Sequence, residues 1–178
     1  MLEKVKQFVD ESFGKKLEHF ERTVFWLLKL KQDADEPMQI AAYAHDIERA
    51  FHPDIEPEKF YKNIELNDKN YLTEHQEKGA EIITNFLKEN NYPEEEIKRV
   101  KEMVRSHEFG GIGEANLIKD ADSISYFEVN ALKHLEKFKS LGKDKIQRKF
   151  DFMYNRITSK EAKKFAEPFY NKVLELLK

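Results

Sequence analysis

The chain has 178 residues, 40% hydrophobic and 37% charged, which suits a globular protein with a proper core and a heavily charged surface. Its 31 Lys and Arg against 34 Asp and Glu leave a net charge of −3, so there is no broad basic field for a nucleic-acid polymer or an anionic membrane. The lack of Cys excludes disulfides, thiolate zinc sites, iron–sulfur clusters and cysteine nucleophiles.

The opening MLEKVKQFVDES has no apolar signal region, and no apolar run approaches the ~20 residues of a membrane span. A cytoplasmic location is the expectation. Leu2, Val5, Phe8 and Val9 form one helical stripe, and Leu17, Phe20, Val24, Leu27 and Leu28 a second. DADEPMQI interrupts the pattern. Pro37 suits the first turn of a new helix, expected over about Met38 to Phe51 and carrying Ile40, Ala41, Ala44 and Ile47. His52 to Tyr71 reads as a loop with one short helix, and as a lid or specificity segment.

Thr73 with Gln76 has the form of a capping box, opening a helix with Ile82, Ile83, Phe86 and Leu87 that ends near KENNY. Pro93 and the acidic EEE begin another, through Ile97, Val100, Met103 and Val104 to about His107. FGGIG is a turn. The apolar stretch from Leu117 to Leu135 reads as a buried central helix. Helices over Lys143–Arg156 and Lys160–Leu177 close the chain; Thr158 with Glu161 forms a second capping box, and Pro168 is expected to kink the last helix. No segment alternates with period two and no internal repeat is present. The expectation is an all-α, single-domain bundle over residues 1–178.

Two places conflict with simple burial. His45 and Asp46 follow the small apolar run AAYA, and Asp120 and Asp122 sit inside IKDADSISYFE, an otherwise core-like segment. A desolvated carboxylate costs several kcal/mol unless it is paired or bound to a metal. His19, His75 and His107 lie in or beside other predicted helices. From His19 through His45–Asp46, His75 and His107 to Asp122, successive positions are about one helix and one loop apart. Each can therefore come from a different helix and point inward, as in bundle metal sites.

This H…HD…D pattern resembles the HD-domain superfamily of metal-dependent phosphohydrolases. The resemblance runs from about Leu17 to Glu128 through LEHFERTVFWLLKL, AAYAHDIERA, TEHQEKGAEII, VRSHEFGG and LIKDADSISYFE, with the helices after 143 outside it. It implies an all-helical fold and metal ligation by His19, His45, Asp46 and Asp122. Asp120 is then a partner behind the ligands or a helix cap. His75 and His107 either complete a second ion site or line the substrate pocket. A nitrogen and oxygen donor set suits one or two divalent ions, of Mn, Fe, Co, Ni, Zn or Mg. In one place the chain departs from the resemblance. Some HD phosphohydrolases carry a water-positioning carboxylate three residues after the HD aspartate; here Arg49 stands there and the carboxylate is Glu48. This argues against the nucleotidase and alarmone-hydrolase subfamilies.

The implied activity is hydrolysis of a phosphate ester or phosphoanhydride of a small metabolite or nucleotide by a metal-activated water, with Asp46 ligating and orienting it. Arg22, one turn after His19, is the expected phosphate clamp, with Arg49 and Lys119 as further cations. His75 or His107 would protonate the leaving oxygen, and Tyr126 would contact substrate. His52 and His134 read as surface residues. The expected partner is a small phosphorylated molecule, not a nucleic-acid polymer or a membrane; the oligomeric state stays open. A di-iron oxygenase on the same scaffold and a non-catalytic, metal-stabilised binding domain are the alternatives.

Overall fold

A computed structural model of the chain describes residues 1–51, 64–111 and 113–178. Among these the regular structure is entirely helical: α1 (Leu2–Ser12), α2 (Glu18–Leu30), α3 (Glu36–Ala44), α4 (Lys69–Glu89), α5 (Glu94–Arg105), α6 (Glu114–Ser125), α7 (Ala131–Lys137), α8 (Lys143–Asn155) and α9 (Lys160–Leu177). A 3₁₀ turn, Ile47–Phe51, follows α3, and a π turn, Tyr126–Asn130, joins α6 to α7. No described helix is long and apolar enough to cross a membrane.

Two hydrophobic cores meet along α6. The first gathers α1 to α6 around Phe20, Leu27, Met38, Ile40, Ile83, Val100 and Ile118. The second joins the end of α6 to α7, α8 and α9 through Ile124, Phe127, Phe150, Met153 and Val173. Ile118 and Ile124 of one helix thus belong to different cores.

Several predicted boundaries move, where a capping side chain or a turn wins over periodicity. Asp35 accepts from the Met38 amide and starts α3 with Pro37 in its first turn, but the helix stops at Ala44. The predicted continuation to Phe51 is instead a 3₁₀ turn. Asp68, not Thr73, caps α4 by accepting from the Tyr71 amide, so that helix begins at Lys69. Ser159, not Thr158, caps α9, because the Thr158 hydroxyl accepts from Lys119 Nζ at 2.7 Å. The central apolar stretch is not one helix: the π turn inserts a wide loop of backbone after Ser125. Pro168 lies inside α9, which runs on to Leu177. Residues 52–63, which carry most of the expected lid together with His52, lie outside the described residues.

Two glycines set close approaches. A Cβ at Gly79 on α4 would lie 3.4 Å from the His45 carbonyl and 3.7 Å from Glu48 Cβ, so this helix packs directly on the HD segment. Gly110 has φ +78°, and a Cβ there would meet Asn116 Oδ1 at 2.3 Å; only glycine fits.

Candidate metal centre

Five elements deliver the predicted ligands to one place. His19 comes from the first turn of α2, His45 and Asp46 from the end of α3, His75 from α4, His107 from just after α5, and Asp122 from α6. The four imidazoles form a continuous line. Ring centroids are 5.3 Å apart for His19–His45, 5.2 Å for His45–His107 and 5.4 Å for His107–His75. All four rings are buried.

The donor atoms divide into two adjacent clusters, His19–His45–Asp122 and Asp46–His75–His107–Glu108. In the first, Asp122 Oδ1 is 3.1 Å from His19 Nε2 and 3.4 Å from His45 Nε2. In the second, Asp46 Oδ1 is 2.8 Å from His75 Nε2 and 3.7 Å from His107 Nε2. By these distances Asp46 stands with His75 and His107, while His45, its neighbour in sequence, stands with His19 and Asp122. The i,i+1 pair points its two side chains into different clusters, as adjacent residues on a tight turn do.

The far nitrogens fix the near ones. His45 Nδ1 donates to the Ala42 carbonyl at 2.9 Å, and His107 Nδ1 to the Val104 carbonyl at 2.7 Å. His19 Nδ1 donates at 2.8 Å to Ser125 Oγ, whose own hydroxyl is spent on the His19 carbonyl. His75 Nδ1 meets Glu48 Oε2 at 2.7 Å. A neutral imidazole has one N–H, so with Nδ1 donating each Nε2 carries a lone pair. Those lone pairs face carboxylate oxygens, and the buried Nε2 atoms of His45 and His107 have no hydrogen-bond partner. Acceptor against acceptor is unfavourable unless a cation lies between. The donor set therefore fits divalent cations, with outer partners that orient each ring.

With no cation between them, the same carboxylates favour a proton on the facing ring nitrogens instead. Burial works against a charged His45, but the Asp122 and Asp46 carboxylates outweigh it and raise the imidazole to about 9. His75 is raised as well, its bonds to Asp46 and Glu48 overcoming burial and the nearby Arg49. Burial holds His107 below its ordinary value. Asp46 and Asp122 stay well below the usual carboxylate range despite burial, Asp46 through Arg49 and Asp122 through Arg156, each helped by its histidines.

Arg156, at the end of α8, was not singled out by the sequence. Its guanidinium bonds Asp122 Oδ2 and Glu108 Oε2, one carboxylate from each cluster, and its Nε donates to Ser123 Oγ at 2.8 Å. Its side chain is 5% exposed. Burial opposes ionisation of Glu108, yet Arg156 and then Lys149 pull it down to about 2. Glu108 directly follows His107, so the HE dipeptide was a legible signal for it. Arg156 lies outside every motif and had none.

A cavity of about 440 Å³ opens onto the clusters and reaches Asp46, Asp122, Glu108 and His19. Arg49 lines it, 3.0 Å from Asp46 Oδ1 and 3.6 Å from Glu108 Oε1. Tyr126 lines it too. His134 also faces it, half-buried and 3.1 Å from the Tyr126 hydroxyl, so it is not the surface residue expected. Other expectations fail. Arg22 does not line the cavity: its fork is taken by Glu128 at 2.7 and 2.8 Å and its plane lies 3.8 Å from the Phe25 ring centroid. Lys119 is buried beside Gly110 with its ammonium on Thr158 and Asn116. His75 and His107 are absent from the cavity wall and lie behind Asp46, 2.8 and 3.7 Å from its Oδ1. Asp120 turns away from both clusters and accepts the Thr158 and Ser159 amides at 2.8 Å each, capping the entry to α9.

A crystal structure of a predicted HD superfamily hydrolase from an uncultured Thermotogales bacterium has the same fold, with a TM-score of 0.59 and 21% sequence identity over 99% of this chain and 88% of that one. The family described as a domain of unknown function (DUF4202) matches residues 3–172, and the chain belongs to that family. No curated protein matches the chain.

Proposed function

We propose that the protein is a metal-dependent phosphohydrolase that cleaves a phosphate ester or phosphoanhydride of a small metabolite or nucleotide. The observation that carries this reading is the set of four oriented Nε2 atoms facing carboxylates beside a cavity that also carries Arg49, Lys133, Lys137, Lys149 and Arg156 on its wall. A divalent cation held by these clusters would acidify a bound water and offset the charge developing on a phosphoryl oxygen. Asp46, with its side chain 18% exposed, is the ligand best placed to hold that water at the cavity edge. Arg49 takes the phosphate-clamp role expected of Arg22, since its guanidinium already lies between Asp46 and Glu108 on the wall. Lys149 is the proton donor for the leaving oxygen. It lines the cavity, and burial, reinforced by Arg156 and Arg49 and opposed by Glu108, brings it down to about 8. His134 cannot serve, because burial and Lys149 push it down to about 3 and leave it neutral.

The di-iron oxygenase reading needs His75 and His107 in one cluster, and they are. It gives no work to the wall's cations, which is why hydrolysis is preferred. Elemental analysis, a phosphatase screen with Mn²⁺, Co²⁺, Ni²⁺, Zn²⁺, Fe²⁺ and Mg²⁺, and oxygen uptake by the iron-loaded protein test the choice. The expected result is bound divalent metal, turnover abolished by chelation, and a loss of roughly 10³-fold in Asp46→Ala with helicity retained. Metal-free protein, or turnover indifferent to Asp46→Ala, would sink the proposal. Oxygen uptake without hydrolysis would favour the alternative.

A further inference from the structure

The π turn and α7 present one face to the cavity: Tyr126, Asn130, Lys133, His134 and Lys137 all line it. Lys133 and Lys137 are exposed and one helical turn apart. Like charges at that spacing repel and weaken a helix. Among the described residues, neither lysine is in an ion pair; Lys137 lies 5.5 Å from the Phe138 ring centroid. Glu18, the one exposed carboxylate on the lining, pairs with neither. His134 between them is neutral and adds no charge. The guanidinium groups on the same cavity are placed differently, since Arg49 and Arg156 are already on the cluster carboxylates. One phosphoryl group at the clusters accounts for Arg49. It leaves Lys133 and Lys137 with no anion among the described residues.

We infer that Lys133 and Lys137 form a second anion subsite, and that the ligand of this cavity carries a second phosphate or a carboxylate besides the group at the clusters. The choice of which end reacts rests on the phosphohydrolase reading; the two-anion requirement does not. A volume of about 440 Å³ accommodates a small bisphosphorylated metabolite.

Calorimetric titration of the full chain, metal-loaded and chelated, tests this. The probes are orthophosphate against tripolyphosphate, and fructose 6-phosphate against fructose 1,6-bisphosphate and 6-phosphogluconate. The two-anion member of a set is expected to bind about tenfold more tightly than its one-anion partner. K133E/K137E should erase that difference while leaving one-anion affinity and metal content unchanged. K88E/K101E, the same charge change on exposed lysines away from the cavity, should preserve it. A gain for the bisphosphate alone assigns the second anion as phosphate, and a gain for 6-phosphogluconate as well extends it to carboxylates. Equal affinities, no measurable binding of any two-anion probe, or a preference that survives K133E/K137E or vanishes equally in K88E/K101E would overturn the inference. Failure to hydrolyse any ester would sink the proposed activity and leave this binding difference intact.

Discussion

The two hydrophobic cores do different work. The first, built from α1 to α6, holds all four histidines, and its polar groups are satisfied inward: ring N–H on helix carbonyls, on Ser125 and on Glu48. The second, built from the end of α6 through α9, delivers cations to the same cavity: Lys133, Lys137, Lys149 and Arg156. The carboxylates of the donor set therefore face four cations across a seam between cores. The contrast teaches that ligand geometry needs a rigid, close-packed surround, to which the buried Arg156 belongs, whereas the exposed Lys133 and Lys137 are free to meet an anion arriving from water.

Arg156 is where the two halves lock, and removing it breaks the comparison most severely. Arg156→Met leaves Asp122 and Glu108 buried without their shared cation. The expected loss in chelated protein is roughly 3–5 kcal/mol of unfolding free energy by urea titration. Divalent metal should restore part of it, because the cation then neutralises the same carboxylates. A variant as stable as the parent in chelator would show that the bridge does not hold the halves together.

Lys149 sharpens the contrast through pH. With its ammonium at about 8, turnover should fall as pH rises through that value, since the proton donor is then lost. Lys149→Met should remove this alkaline limb and cost about tenfold or more in kcat. An unchanged pH profile would assign the leaving-group proton elsewhere.

The smallest effect separates the two aspartates of the DAD segment. Asp120→Ala leaves the Thr158 and Ser159 amides ahead of α9 without their acceptor and is expected to cost about 1–3 kcal/mol in stability with metal content unaltered. Loss of metal in that variant would contradict the split seen here, in which Asp122 faces His19 and His45 and Asp120 does not.

Much of the fold was legible. The stripes of α1, α2 and α5 survive almost unchanged, because a 3.6-residue apolar period has one way to bury itself. The boundaries that moved did so at Asp68, Ser159 and Ala44, where one side chain or a turn outcompeted the pattern. The histidines and the HD pair were legible because buried polar residues in apolar helices demand compensation. Arg22 misled for a local reason: helix phase places it near His19, but Glu128 and Phe25 offer its guanidinium a nearer berth.

By itself the chain's order of residues determined an all-helical protein with imidazoles and carboxylates drawn from separate helices, since periodicity and the cost of burying charge are local properties. Only the tertiary structure decided that Asp46 parts from His45, that Glu108 completes the second cluster, and that Arg156 and the α7–α8 lysines close the cavity. These depend on which side chains meet across more than a hundred residues of chain, as Ser125 meets His19. No spacing rule reaches that far, because the meeting is fixed by how two cores pack on one helix.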